Sequence, residues 1–282
     1  MDNQQDLRFD TDLLIYVPAY NCSDYIISVL DEIPTDILAI SEILIVDNHS
    51  TDDTVDKIQR ARCENRWDAP VHLIQPPENL GYAGSQKLAY SIALLSTRVK
   101  RVIMLHGDGQ YPPELLGNFM PFTDSEYGVV YGYRDKSEYP DLEETPTGAY
   151  RVIKILSAIE SYVTGHPRKE WHSGFVMYSR EFLLRVNLDG LTDTYHIDGH
   201  LHFVAGELDE HVKAIPIWKR YKGYAPLTRM KRVRYLFDVL KLLVAFRMRR
   251  RFNSSYKSEL ELSRYSIIKI RDGAPRTSDK NA

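Results

Sequence analysis

The first half of the chain alternates short apolar runs with segments of helical pattern. Each apolar run is rich in valine, isoleucine or leucine and ends at a turn-forming or charged residue, which is typical of a buried strand. This alternation predicts an α/β fold with a mostly parallel central sheet, flanked by helices and joined by right-handed crossovers. The predicted strands are 13–18, 42–47, 71–76, 101–108 and 128–134, with helices near 24–32, 52–66, 83–96 and 113–119.

The second half of the chain is less regular. A polar loop at 135–148 separates it from the first five strands, and neither an internal repeat nor a low-complexity tract is present. The predicted elements after this loop are a helix near 150–163, a strand at 173–179, a helix near 198–208 and a strand at 212–221.

A basic amphipathic helix is predicted near the C-terminus. Residues 229–251 contain nine basic residues and one acid, so this segment carries +8 while the rest of the chain carries −11. Packing on the body explains an apolar face but not nine basic residues. Because each of them contributes about 1 kcal/mol near anionic lipid, we predict contact with an anionic membrane surface. The apolar face consists of Val233, Leu236, Phe237, Leu240, Leu243 and Val244.

Composition bounds the remaining possibilities. No base-reading module accompanies the basic helix, so nucleic acid is not an expected partner. Cys22 and Cys63 lack metal-ligand spacing, and the N-terminus does not resemble a signal peptide. We therefore expect a cytoplasmic protein that is peripheral on the inner face of the cell membrane. The predicted units are a domain over 1–228, the basic helix over 229–251 and a tail over 252–282.

Residues able to bind a nucleotide follow the predicted strands, where parallel sheets bind their ligands. After the first strand comes "VPAYN", and after the second comes "VDNHSTDDT". Ser50 to Asp53 suit a helix cap, whereas Asp47 precedes the cap and is able to accept from a base N–H or a ribose hydroxyl. After the third strand, "ENLGYAGSQK" offers Gly81 and Gly84 for close backbone approach at a helix start.

The fourth strand runs into "HGDGQYPPE", where a carboxylate stands between two glycines. Asp108 and Gln110 are two residues apart, so in an extended segment both side chains point to one side. A carboxylate and an amide oxygen suit Mg²⁺ or Mn²⁺. His106 is either a further metal ligand or a hydrogen-bonding partner of Asp108.

The stretch "YHIDGHLHF" places His196 and His200 four residues apart, with Asp198 between them. A zinc-binding helix of the zincin type needs a glutamate directly after the first histidine, and none is present, which disfavours zinc here. Asp198 has three possible roles: a general base for a sugar hydroxyl, a group that orients a phosphate acceptor, or a helix cap.

Taken in order, these motifs together with "YGYR", "SGF" and "IPIWKRYKG" resemble the family-2 inverting glycosyltransferases of GT-A fold across roughly residues 12–225. The dolichyl-phosphate mannose synthase branch is the nearest. The chain departs from this family in two places. His106 stands where the metal motif usually has its first acid, and Ala225 and Pro226 stand where serine and lysine are common.

The resemblance implies transfer of a sugar, with inversion, from a nucleoside diphosphate donor to a polyprenyl phosphate or lipid-linked glycan, with Mg²⁺ or Mn²⁺ as cofactor. It also implies a set of residue roles. Pro18, Tyr20, Asp47 and Gly81 hold the donor, Asp108 and Gln110 the metal, and Arg134 and Arg220 the phosphates, while Ser173 and Gly174 border the acceptor cleft and Asp198 is the candidate base.

Three other functions are weighed against this one. A nucleotidyltransferase needs a glycine-rich, basic phosphate loop directly after the first strand, and "VPAYNCSDY" contains neither glycine nor a basic residue. A non-catalytic membrane adaptor of the same fold stays open because of His106. A family-2 enzyme that acts on a saccharide hydroxyl in cell-surface polysaccharide synthesis is the third.

Overall fold

The computed structural model describes residues 8–221 and 229–248. Seven strands form one sheet in the order β3-β2-β1-β4-β6-β5-β7. All neighbouring strands are parallel except β6, which runs antiparallel to both β4 and β5. The strands are β1 (Leu13–Ala19), β2 (Ser41–Asp47), β3 (Val71–Ile74), β4 (Arg101–Met104), β5 (Val129–Arg134), β6 (Val176–Ser179) and β7 (Val212–Ile217).

Helices cover both faces of this sheet, which explains why the first strands read as continuous apolar runs. Alternate residues of β1 enter separate cores: Leu13 and Ile15 lie in one, and Leu14 and Tyr16 lie in the other. The helices are α1 (Ile26–Asp31), α2 (Thr35–Leu38), α3 (Thr54–Cys63), α4 (Gly81–Leu95), α5 (Thr147–Thr164), α6 (Arg180–Arg185), α7 (Ile197–Glu207) and α8 (Arg229–Arg247).

The predicted α/β class and mostly parallel sheet are confirmed, and the main differences are at the ends of elements. The predicted strand 101–108 ends at Met104 because the chain turns beyond it, with Gly109 at φ +73°. Residues Pro113–Asn118 form a 3₁₀ helix rather than an α-helix. The short helices α2 and α6 were not predicted, since neither is long enough to show a periodicity.

Helix α8 packs on the body next to α5. Val239, Leu242 and Leu243 are buried in a small core with Trp171 and Phe203. Most of the predicted apolar face points away from that core, and Leu243 is its buried member. None of the described helices is both long and apolar enough to span a bilayer. The predicted segment 249–251 and the tail 252–282 lie outside the described residues.

Candidate active site

A cleft of about 230 Å³ opens where β1, β2 and β4 end. Among the predicted site residues, Pro18, Tyr20, Gly81 and Asp108 line this cleft, and His106 lines it with them. These strand ends converge because the carboxyl ends of neighbouring parallel strands meet at one edge of a sheet. Because these strands are neighbours in the sheet, the residues that follow them meet in one cleft.

The Asp108 segment is a turn and not an extended strand. Gly109 has φ +73°, which favours glycine, and Asp108 Oδ1 accepts a hydrogen bond of 3.0 Å from the Gln110 backbone N–H. The prediction that the side chains of Asp108 and Gln110 point to one side rested on an extended segment, and that premise is wrong. Gln110 is not among the residues that line the cleft, and its carbonyl accepts from the Arg220 N–H at 2.9 Å.

His106 takes the position beside Asp108 that Gln110 was expected to hold. Burial lowers the pKa of the imidazole to about 4, so the ring is neutral near pH 7. Its Nε2 atom is buried and has no hydrogen-bond partner in the described structure, and no hydrogen bond joins His106 to Asp108 there. A neutral imidazole nitrogen and a carboxylate oxygen are both metal-ligand atoms. His106 and Asp108 therefore fit a divalent ion in the cleft.

Asp47 is buried and hydrogen-bonded by its own chain. It accepts from the Ser50 N–H at 3.0 Å, from the Ser50 hydroxyl and from Gln75 Nε2 at 2.8 Å. These bonds fix the Asp47 carboxylate at the end of β2, and its role in holding the nucleoside stays a prediction, because a carboxylate has about four acceptor positions. At the start of α3, Asp52 Oδ1 accepts from the Thr54 N–H at 3.0 Å, while the N-cap residue Asp53 makes no side-chain cap bond.

Two asparagines that sequence reasoning missed line the cleft beyond β2 and β3. Asn48 Nδ2 donates to Asn79 Oδ1 at 3.0 Å, and Asn48 Oδ1 accepts from the Leu80 N–H at 2.7 Å. These bonds fix the start of α4 against the tip of β2. Both asparagines could have been predicted from the sequence, since Asn48 directly follows Asp47 and Asn79 lies within the motif after the third strand.

Arg134 is buried in an ion pair with Glu170. Its Nε donates to Glu170 Oε1 at 2.8 Å, its Nη2 reaches the same oxygen, and its backbone N–H donates to Oε2 at 2.9 Å. Both side chains are at most 4% exposed. The guanidinium thus neutralises a buried carboxylate in this structure, and the role of Arg134 in holding a phosphate stays a prediction.

We expect Arg134→Met to destabilise the protein by about 3–5 kcal/mol, because it leaves the Glu170 carboxylate buried without a partner. Chemical denaturation measures this free energy of unfolding. Arg220→Met is the matched control, because Arg220 pairs near the surface with Glu32 at 2.8 Å and should cost at most about 1 kcal/mol. Equal small losses in both variants would contradict the structural role of Arg134.

Lys219, the residue before Arg220, does not line the cleft but lies close enough to His106 and Asp108 for its charge to act on both. Burial lowers the pKa of its ammonium, and Asp108 is among the charges that act on it. Nζ lies 4.5 Å from the centre of the Tyr111 ring, and it makes no hydrogen bond or ion pair with the described residues. Arg220, in contrast, reaches Glu32 and, at 3.6 Å, Glu114. Lys219 is thus better placed than either arginine to meet a phosphate.

Gly174 connects the metal side of the cleft to the acceptor side. A Cβ atom added there would lie 2.6 Å from His106 Nε2 and 2.7 Å from the Tyr82 hydroxyl, so only glycine fits. The Tyr82 hydroxyl in turn donates to Asp198 Oδ2 at 2.9 Å. Ser173 is buried beside Gly174, and its hydroxyl accepts from the Phe175 N–H at 3.4 Å. Asp198 therefore stands one hydrogen bond from the cleft wall.

Asp198 has the environment of a proton-transfer group. Burial raises the pKa of its carboxyl to about 7, although the Tyr82 hydroxyl opposes this rise. Oδ1 has no hydrogen-bond partner within the described residues. The side chain does not cap α7, which disfavours the capping role. A carboxyl that titrates near neutral pH beside a ligand cleft suits general-base catalysis.

The fold and this cleft define a nucleotide-sugar-dependent transferase of GT-A type. The family model described as glycosyl transferase family 2 matches residues 14–186, which is more than half of the chain. The chain therefore belongs to glycosyl transferase family 2 and is a glycosyltransferase that uses a nucleotide-sugar donor. A comparison with curated proteins returned no significant match.

Solved structures of glucosyl-3-phosphoglycerate synthase from Mycobacterium tuberculosis are similar in fold. The complex with Mn²⁺, UDP-glucose and phosphoglyceric acid has 17% identity and a TM-score of 0.56, covering 83% of this chain and 78% of that chain. The complex with Mg²⁺ and UDP has 15% identity and a TM-score of 0.54, covering 83% and 77%. At these identities the similarity establishes the fold alone.

Proposed function

We propose that the protein transfers a sugar, with inversion, from a nucleoside diphosphate donor to a polyprenyl phosphate at an anionic membrane surface. The observation that carries the lipid acceptor is the exposed apolar face of α8, a helix whose sequence also contains six basic residues and one acid. Incubation with labelled nucleotide sugars and a membrane extract tests the proposal, with product measured in the lipid phase.

On the donor side, His106 and Asp108 would hold Mg²⁺ or Mn²⁺ against the diphosphate. The similar structures named above contain Mn²⁺ or Mg²⁺ together with UDP or UDP-glucose, which supports this cofactor. A bound divalent cation would neutralise charge on the departing diphosphate. Lys219 adds a second positive charge on the same side, and such fixed charges are usually the largest contribution to catalysis.

On the sugar side, the chain's own groups position the reacting centre. Gly174 lets the backbone before β6 lie directly against His106 and the Tyr82 hydroxyl, which fixes both groups at the edge of the cleft. Tyr82 also stacks on Tyr195, with ring centres 5.6 Å apart, and both rings line the cleft. These two tyrosines form one wall of the cleft.

The membrane contact rests on apolar side chains that the body does not cover. Phe237 is 66% exposed, and Leu240 and Val244 are each more than half exposed. Helix α5, against which α8 packs, exposes Ile155 and Tyr162. Basic residues on the same helix complement anionic lipid, which favours a membrane over a second copy of this chain.

Replacing Phe237 and Leu240 together by serine should weaken binding to anionic vesicles at least about tenfold, since burial of each side chain contributes about 1.5–3 kcal/mol. Vesicle co-sedimentation measures this binding. The double variant Ile40→Ser, Leu95→Ser removes two exposed apolar side chains elsewhere and should bind like the wild type. Unchanged vesicle binding by the α8 variant would contradict the membrane role. A wild type that is dimeric while the α8 variant is monomeric would contradict it as well, because the apolar face would then bind a second copy of the chain.

A saccharide hydroxyl, including that of a lipid-linked glycan, is the second candidate acceptor. The specific observation in its favour is Asp198, whose unpartnered Oδ1 suits a general base. Arg134 and Arg220, which a phosphate acceptor was expected to use, also pair with carboxylates in this structure. Both candidates use the same donor site, so they differ only in what attacks the sugar.

A further inference from the structure

A second cluster of metal-ligand side chains lies outside the cleft described above. Glu160 on α5, His172 in the segment before β6 and His196 at the start of α7 converge there, and the side chains of all three are at most 4% exposed. The three residues are 12 to 36 positions apart in the chain, so no local sequence motif predicts the cluster. The potential ligand atoms of the three residues lie within 4.8 Å of one another.

The geometry of this cluster is not that of ordinary hydrogen bonds. Glu160 Oε1 lies 2.9 Å from His196 Nε2, and Glu160 Oε2 lies 2.9 Å from His172 Nε2. The Glu160 carboxylate therefore lies between two imidazoles as a buried ion-pair cluster, and none of the four atoms makes a hydrogen bond of regular geometry within the described structure. Two nitrogens and two oxygens thus converge on one buried point, which is the arrangement that a cation bound between them requires.

The other nitrogen of each ring supplies an independent observation. His172 Nδ1 lies 2.7 Å and His196 Nδ1 lies 3.1 Å from the same Tyr235 hydroxyl on α8. That hydroxyl has a single proton, so it donates to at most one ring, and the other ring must carry a proton on Nδ1. The Nε2 atom of that ring then points a lone pair at the Glu160 carboxylate unless the ring is a buried imidazolium.

We infer that Glu160, His172 and His196 bind a divalent transition-metal ion of the zinc type, with the carboxylate bidentate. Zinc takes imidazole nitrogens and carboxylate oxygens, and two of each complete four-coordination. Metal-bound histidines usually hold their second nitrogen in a hydrogen bond, as Tyr235 provides here. Because all three side chains are buried and lie outside the cleft, the ion has a structural role.

Such an ion would connect the helix α8 to the cleft. His172 precedes Ser173 and Gly174, and His196 lies two residues before Asp198. Tyr235 bonds both histidines from α8, so one centre would hold α5, α7 and the segment before β6 in register beneath the docked helix. It is distinct from the pair His200 and His196 considered above, because His200 Nδ1 accepts from the Thr192 N–H at 3.0 Å.

The test uses the purified full chain, stripped with a chelator, reloaded with Zn²⁺ alone and then dialysed. Elemental analysis should find a single zinc ion per chain in the wild type and little in Glu160→Gln. Asp108→Asn is the matched control, since it removes the carboxylate of the cleft and should keep the buried ion. Tyr235→Phe should weaken zinc affinity by about 10- to 100-fold, as expected for a group that orients metal-bound histidines.

Thermal unfolding gives the second readout, and Zn²⁺ should raise the unfolding temperature of the wild type and of Asp108→Asn. If Glu160→Gln does not fold, the visible absorption spectrum of the Co²⁺-loaded wild type tests the inference, because Co²⁺ bound by the two imidazoles absorbs visible light. Equal zinc retention by the wild type and Glu160→Gln would overturn the inference. A wild type that retains no zinc and shows neither the Co²⁺ band nor a shift in unfolding temperature would overturn it as well.

Discussion

Asp108→Asn should abolish sugar transfer while the protein unfolds at nearly the same temperature as the wild type. Asp108 lines the cleft in a turn and is half-buried, so its loss removes no core packing. Its carboxylate and His106 are the side chains placed to hold the divalent cation, and loss of such electrostatic stabilisation costs about a thousandfold or more in rate. Turnover of donor at saturating Mg²⁺ or Mn²⁺ measures the effect.

Gln110→Ala is the matched control, because Gln110 is two residues away and does not line the cleft. It should retain most of the wild-type rate. Near wild-type turnover by Asp108→Asn would contradict the prediction that Asp108 holds the divalent cation. A loss of turnover in Gln110→Ala as large as that in Asp108→Asn would indicate that the Gln110 side chain binds the metal. It would also contradict the turn described here.

Asp198→Asn should separate the two candidate acceptors. A sugar hydroxyl must lose a proton as it attacks, and removal of a general base typically costs about a hundred- to ten-thousand-fold. An ionised phosphate needs no base, so the same variant should keep transfer to polyprenyl phosphate within about tenfold of the wild type. Lipid-phase product formed by both proteins on one membrane preparation gives the comparison.

The pH profile provides a second readout for Asp198. Its pKa is raised to about 7 by burial, and a base acts only when ionised. With a hydroxyl acceptor, the wild-type rate should therefore rise with pH through about 7 and level above it, and Asp198→Asn should lose this rise. A rise that persists in Asp198→Asn would exclude Asp198 as the base, and a collapse of lipid-phase product in that variant would exclude the phosphate acceptor.

The parts of this account that could be predicted from sequence are local. Apolar runs identify strands because a buried strand needs apolar residues over four to seven consecutive positions. The candidate site motifs could then be found as the polar residues that directly follow each strand. Asp108 was found because a carboxylate between two glycines at a strand end is unusual in any other role. The contact between Asp47 and Ser50 could not be predicted, since the sequence does not reveal that Ser50 folds back onto Asp47.

The parts that could not be predicted depend on contacts between distant residues. Arg134 and Glu170 are 36 positions apart, and only the pairing of β5 with β6 brings their segments together. Glu160 and the two histidines require α5 and α7 to be packed before they meet. The zinc pattern was sought within one helix, where histidine spacing is regular, whereas the structure assembles its ligands from three elements.

The most direct test of the proposed function is a panel of labelled nucleotide sugars incubated with the purified protein and a membrane extract. We expect one donor to give labelled product in the lipid phase, with the label lost when a chelator is added or when Asp108→Asn replaces the wild type. Transfer of label only to a water-soluble acceptor, with nothing in the lipid phase, would contradict the account.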